Sequence, residues 1–385
     1  MEIDMDFKKL SDFMDHLTSW RIPGCACIVY HKGNPVFRYT SGYADMENEI
    51  RLDPENHRMF MYSISKIVTC VTALSLWEEG RFLLSDPLSM YIPEWKDVKV
   101  KEISEDGTER IVPAKREITI GDLFSMTSGL DYNCDSPALK AAKEKTAPLC
   151  PTVDLMRALA ADPMVLQPGE KWCYGLSHDV LGAVVEVITG KKLGEVAKER
   201  VFDPLGLKKT SYGLDEKYRS EMAVQYCFND QKVCIERNYT QDNWAIFGTD
   251  YHSGGAGVVS TISEMAYLMS VLASKGKIPG GGRILAPATV DMMRTPYLTA
   301  EQEKGIDWSQ LAGYSYGLGV RTMRYPEMSG GSGPVGEFGW TGAAGAYALI
   351  DPENELSLFY AHHMLNNQEY YTAPRLRNIL YSCMD

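Results

Sequence analysis

The chain has 385 residues, 45% of them hydrophobic and 10% aromatic, enough for one large or two intimate globular units with a sizeable core. Lys and Arg number 39 against 51 Asp and Glu, a net charge of -12 without any basic block, which argues against nucleic acid as a partner. No apolar run reaches the roughly 18 residues of a membrane span, and the 9 scattered Cys, an odd number, fit a reducing cytoplasm better than a disulfide framework.

In chain order, the acidic Met1 to Asp6 lacks the basic and apolar regions of a secretory signal and leads into an amphipathic helix expected over Phe7 to Trp20. Cys25 to His31 and Pro35 to Tyr39 then read as an antiparallel hairpin turning at Lys32-Gly33-Asn34. From Phe60 to about Ala160 the pattern is mainly helical, interrupted by a small hairpin whose Asp106-Gly107 is expected to form a type I′ turn. Ile120 to Met126 starts as a helix that Thr127-Ser128-Gly129 closes through a left-handed Gly. Pro168-Gly169-Glu170 turns before Tyr174, and Ser177 is expected to cap a helix from Asp179 to Thr189 that stops at Gly190. Gly254 to Gly257 precedes a strand, Val258 to Thr261, and a helix from Glu264 to Leu272; no Lys-Ser/Thr follows these glycines, so they are not a phosphate loop. The remainder, from Tyr314 to Tyr360, reads as short antiparallel strands and glycine loops before a last helix over Tyr370 to Tyr381. Strands at both ends with helices between them predict an α/β (α+β) fold. Residues 1–62 and 250–385 would build a discontinuous sheet domain, 63–249 an inserted mainly helical domain with the small hairpin, and the active site would lie at their interface.

Ser63-Ile64-Ser65-Lys66, at the front of an apolar helix, carries the chemistry. One helical turn puts Ser63 and Lys66 on the same face, near enough for an amine to take the hydroxyl proton. A Ser hydroxyl needs that help at neutral pH, and a Lys gives it only as the free amine, so the pair demands a partly dry pocket. The bare S-x-x-K pattern is weak, since about one chance match is expected in a chain this long. A second copy, Ser274 to Lys277, indeed lies where a helix runs out into Gly276 and Pro279, and reads as a solvated turn. Neither His57 nor His178, His252 and His362-His363 has metal-ligand spacing, and no G-x-S-x-G leads a helix, so neither a metal nor a Ser-His-Asp triad is expected.

Six ordered elements resemble the serine β-lactamase and penicillin-binding-protein superfamily over nearly the whole chain, in its class C-like branch, with the family VIII carboxylesterases and related acyltransferases nearest. They are Phe60 to Lys66, Ile118 to Leu130, Pro168 to Gly182, Phe202 to Leu207, Gly254 to Gly257 and Gly339 to Ala343. The resemblance implies a β-lactamase/transpeptidase-like fold, an antiparallel sheet flanked by helices. It makes Ser63 the nucleophile, Lys66 its partner and Tyr174 the tyrosine that shares a proton with Lys66. It also implies an oxyanion hole from the backbone N–H groups of Ser63 and Ala343. Two positions depart from the β-lactamase pattern: Leu176 replaces an Asn, and Trp340-Thr341-Gly342 replaces Lys-Thr-Gly, removing the cation that would meet a substrate carboxylate.

Trp340, Thr341, Gly342, Leu176 and Tyr62 are therefore expected to contact substrate, with Trp172, Trp244, Phe247 and Tyr251 as further candidate walls. The expected activity is hydrolysis or transfer of the acyl group of a small-molecule ester, with no cofactor, no nucleic acid, no membrane and an oligomeric state that the residues do not disclose. Two alternatives remain open: an amide-directed β-lactamase, DD-peptidase or D-amino-acid amidase, and a binding protein that kept the fold without catalysis.

Overall fold

The computed structural model describes residues 6–20, 22–104, 106–228, 235–238 and 242–384; the acidic Met1 to Met5 of the chain start lies outside them. Its frame is an eight-stranded antiparallel sheet. In chain order the strands are β1 (Gly24–His31), β2 (Asn34–Asp45), β3 (Ile50–Arg51), β4 (Tyr314–Tyr316), β5 (Arg321–Met323), β6 (Phe338–Gly339), β7 (Tyr347–Asp351) and β8 (Leu356–His362). They lie in the order β4-β5-β6-β7-β8-β1-β2-β3, so the two ends of the chain meet where β1 pairs with β8, Cys27 opposite Tyr360.

That junction explains why β1 reads as an unbroken apolar run instead of an alternating one. Cys25, Cys27 and Val29 pack with Leu10, Met14 and Leu17 of α1 (Lys8–Trp20) and with Leu376 and Leu380 of the last helix, Glu369–Tyr381. Ala26, Ile28 and Tyr30 face the other way, into the main core that also contains Met265, Leu268 and Met269 of the helix Ile262–Ala273. Both faces are covered, so both sets of side chains must be apolar.

The helix that carries the Ser-Lys pair, α2 (Ser65–Glu78), is buried on all sides from Ser65 to Leu76, which is why its sequence is apolar around the whole circumference. It packs on α3 (Ser177–Thr189), which ends as expected at a left-handed Gly190, φ 68°. A three-stranded sheet of Arg58–Phe60, Val258–Thr261 and Ser211–Tyr212 links the helical part to the large sheet. Among the described residues no helix is long and apolar enough to cross a membrane.

Several local expectations shift. Ser177 does not cap α3; Leu176 occupies the cap position, and the Ser177 hydroxyl lies 2.8 Å from that of Ser128. The Ile120 helix ends at Phe124, held at its start by a Thr119/Asp122 capping box, and Met126 as well as Gly129 takes a positive φ after it. The hairpin of Lys99–Ile103 and Glu109–Pro113 forms, but only Gly107 of Asp106-Gly107 has a positive φ (80°), so its turn is not type I′. The two left-handed residues that such a turn requires occur between β1 and β2 instead, at Lys32 (φ 50°) and Gly33 (φ 74°). The second S-x-x-K copy closes the helix Ile262–Ala273, with Ser274 as its cap and Lys275 in the left-handed region, φ 53°.

Candidate active site

Three hydrogen bonds fix the front of α2. The Met61 N–H donates to the Val258 carbonyl at 2.9 Å, and the Val258 N–H donates to Ser65 Oγ at 2.8 Å, so the strand strapped across this turn holds both sides of Ser63. Tyr62 between them has φ 45°, a conformation that an L-residue holds only when its surroundings impose it. The anchor is its own side chain, 1% exposed, whose hydroxyl donates to Gln225 Oε1 at 2.8 Å. Tyr62 is thus a buried anchor and not the substrate wall expected from its place beside Ser63.

Ser63 itself is partly exposed. Its Oγ lies 2.6 Å from Tyr174 Oη and 3.2 Å from Lys66 Nζ, so the structure brings all three expected groups together. Lys66 is fully buried, and its Nζ also donates to the Gly255 carbonyl at 2.8 Å and to Tyr132 Oη at 3.0 Å. Three acceptors around one nitrogen suit an ammonium with three N–H bonds, not the free amine expected of a base for Ser63. A carboxylate lies close by: Asp179 Oδ1 accepts from Tyr251 Oη (2.9 Å) and Ser253 Oγ (2.6 Å), while Oδ2 is left without a hydrogen-bond partner. Burial pushes the Asp179 carboxyl up, opposed by the Ser253 hydrogen bond and the Lys66 charge. The loop glycine Gly255 permits this crowding, because a Cβ there would stand 2.6 Å from Asp179 Oδ2, 2.9 Å from Tyr132 Oη and 3.2 Å from Lys66 Nζ.

Tyr174 sits in an aromatic nest. Its ring lies 5.0 Å from Trp308, 5.4 Å from Tyr132, 5.5 Å from Trp340 and 5.8 Å from Trp172. Trp340 is only 1% exposed and donates its Nε1–H to Tyr174 Oη at 3.2 Å. Its contribution here is a hydrogen bond to the tyrosine oxygen, not an open apolar wall. Leu176 is buried in the main core, so its side chain does not line the site either. Thr341 is nearly buried, and Gly342 is packed so closely against the Met61 carbonyl that no Cβ fits.

Of the further candidate walls, Trp172 and Tyr251 are buried behind Tyr174 and Asp179. Trp244 is exposed, its ring edge-on to Tyr132 at 5.9 Å. Phe247 lines a cavity of about 340 Å³ together with Phe60, Leu214 and Ile246, with the Arg219–Asp242 ion pair also on its lining. Phe60, Leu214 and Ile246 belong to one apolar cluster with Tyr62 and Ala343, which sets the cavity on the Ala343 side of the site. Neither the Ser63 nor the Ala343 N–H has a hydrogen-bond partner among the described residues, the condition for two donors that wait for a substrate oxygen. Tyr132 and Trp308 escape the sequence reading. Tyr132 follows the Ile118 to Leu130 element by two residues, its one signal, whereas Trp308 has none.

The family model described as Beta-lactamase matches residues 8–380 of this chain. The chain belongs to the beta-lactamase family. Protein Rv1367c of Mycobacterium tuberculosis is 31% identical over 327 residues, which are 83% of this chain and 80% of that protein. Esterase EstB of Burkholderia gladioli is 27% identical over 381 residues, covering 93% of this chain and 89% of its own. Among solved structures, EstCE1, a hydrolase with promiscuous acyltransferase activity, superimposes with a TM-score of 0.77 at 23% identity over 97% of this chain and 98% of its own. This beta-lactamase-family chain thus has the β-lactamase/transpeptidase-like fold, in a family whose members include hydrolases and acyltransferases.

Proposed function

We propose that the protein is a serine hydrolase that forms an acyl-enzyme on Ser63 and passes the acyl group of a small-molecule ester to water or to an alcohol. The observation that carries this reading is the placement of Ser63 Oγ between Tyr174 Oη at 2.6 Å and Lys66 Nζ at 3.2 Å. Ser63 Oγ attacks the ester carbonyl carbon while Tyr174, reacting as the phenolate beside the Lys66 ammonium and accepting from Trp340 Nε1–H, takes the hydroxyl proton on Oη and becomes the phenol. The N–H groups of Ser63 and Ala343 meet the negative charge on the carbonyl oxygen. As the ester C–O bond breaks, Tyr174 returns the proton to the departing alkoxide. Water or a second alcohol then attacks the acyl carbon, gives its proton to Tyr174, and expels Ser63 Oγ, which recovers it.

Esters are favoured over β-lactams and peptide C-termini because Trp340 stands where a cation would meet their carboxylate, and its N–H is already spent on Tyr174. The name of EstB, an esterase, supports the same substrate class, and the description of EstCE1, a hydrolase with promiscuous acyltransferase activity, supports water or an alcohol as acceptor. A cytoplasmic location is part of the proposal, supported by the free thiols of Cys25, Cys27, Cys70, Cys134, Cys150 and Cys173.

The test compares p-nitrophenyl butyrate, with and without an added alcohol, against nitrocefin and a D-Ala-D-Ala peptide. Ester turnover that vanishes in Ser63→Ala is expected. Nitrocefin or peptide turnover faster than ester turnover would establish the amide-directed reading instead, and undiminished ester hydrolysis in Ser63→Ala would remove Ser63 from the mechanism.

A further inference from the structure

We propose that Asn367 is a positioning residue for the oxyanion hole, acting through the Gly342–Ala343 peptide; this rests on the reading of Ser63 and Ala343 as the two oxyanion donors. A peptide group is planar and trans, so its C=O and N–H point in opposite directions and fixing one fixes the other. The Gly342 carbonyl belongs to the same peptide plane as the Ala343 N–H. That carbonyl accepts two hydrogen bonds, from the Gly345 N–H at 2.8 Å and from Asn367 Nδ2 at 3.0 Å, so both lone pairs are held from the side away from substrate.

The Asn367 amide is itself oriented without ambiguity. Its Oδ1 accepts from the Glu369 N–H at 2.9 Å, at the start of the last helix, and that partner can only be a donor, so Nδ2 must be the group turned to Gly342. Its neighbours Asn366 (φ 56°) and Gln368 (φ 55°) both take left-handed backbone conformations, bending the chain out of the strand Met364–Leu365 and into the helix so that Asn367 reaches across. The other side of the loop is tied too: the Met364 N–H donates to the Ala344 carbonyl at 3.0 Å, and the Gly342 N–H to the Ala346 carbonyl at 2.8 Å. Of the bonds that hold the oxyanion peptide, Asn367 makes the one that a side chain supplies. The last helix therefore acts on the reaction through Asn367, although none of its residues is required to touch substrate.

Two variants separate this role from helix capping. Asn367→Asp keeps the Oδ1 acceptor for Glu369 and sets an oxygen, not a donor, against the Gly342 carbonyl; Asn367→Ala loses both bonds. With p-nitrophenyl butyrate, both are expected to lower kcat by about tenfold to a hundredfold, less than the roughly 10²–10³ that follows loss of a whole donor. KM and the pH at half-maximal kcat should stay where they are in the wild type, because the Ser63, Tyr174 and Lys66 relay is untouched. Asn367→Asp, which keeps the Glu369 bond, should still melt cooperatively above the assay temperature. A kcat for Asn367→Asp within twofold of wild type would overturn the proposal. So would a rise in KM with kcat unchanged, which marks a substrate contact, or a loss that only tracks the unfolded fraction in both variants. Absence of Ser63-dependent ester turnover in the wild type would instead defeat the functional reading.

Discussion

Gly255 shows how little room surrounds the Ser63 machinery. The buried Lys66 amine, the Tyr132 hydroxyl and the free oxygen of Asp179 all face the space where its Cβ would be. Gly255→Ala should therefore leave a cooperatively folded protein and displace these groups by a fraction of an ångström to an ångström, which costs about a hundredfold in turnover. Steady-state kinetics beside a thermal melt checks this; wild-type kcat in a folded variant would contradict the crowding. Ser63, Lys66 and Tyr174 are legible in the sequence because helical spacing and motif order constrain them locally. Tyr132 is not, since its hydroxyl reaches Lys66 from a loop that only the tertiary fold brings near. Tyr62 and Leu176 mislead for a related reason. Adjacency to a functional residue says nothing about where a side chain points, and here one turns to Gln225 and the other into the core.

At the scale of elements, the segment that joins the site to the cavity is the loop carrying Trp244, Ile246 and Phe247. Trp244 covers the edge of Tyr132, and two residues later Ile246 packs with Phe60 and Leu214 on the cavity wall. If the acyl chain enters there, each buried methylene contributes about 0.8 kcal/mol. Ile246→Trp, which narrows the cavity, should then lower kcat/KM for p-nitrophenyl octanoate at least about tenfold more than for the acetate, corresponding to two methylenes of lost burial. Equal changes for both esters would take the acyl chain out of this cavity. Periodicity and turn residues located most elements, including the Ser-Lys helix, the meander and the last helix. They failed at the closures. Asp106-Gly107 carries the I′ signature and does not form that turn, whereas Lys32-Gly33, a weaker signature, does, because the long β1–β2 pairing imposes its twist there.

For the whole molecule, three buried histidines separate native from denatured protonation on the acid side. Burial, assisted by the Lys66 charge for His178 and by His363 for His362, brings His178 and His362 down to about 3, and burial brings His363 down to about 4. In the denatured chain each protonates near 6.5, so below that pH the denatured state binds protons that the native state refuses. Their stabilising contribution is thus complete above about pH 6.5 and is lost as pH falls toward about 3. Buried carboxyls pushed upward, among them Asp179 and Glu337, have the opposite sign, so a difference measurement is needed. His362→Gln should flatten the decline of stability between pH 6.5 and 4 by at most about 1.4 kcal/mol per pH unit relative to wild type. Denaturant melts at several pH values check it, and parallel curves for the two proteins would contradict it. The sheet built from both chain ends and the helical insertion follow from element order alone. The way Asn367 ties the last helix to the Gly342 carbonyl does not, because no local pattern links residues so far apart in sequence.

Covalent reaction at Ser63 is tested by peptide mapping with mass spectrometry after treatment with a fluorophosphonate, which phosphonylates the oxygen that an ester would acylate. One adduct per chain is expected, on the peptide containing Ser63, absent in Ser63→Ala and strongly slowed in Tyr174→Phe. An adduct elsewhere with Ser63 unmodified, or no adduct from a folded protein that still hydrolyses esters, would contradict it.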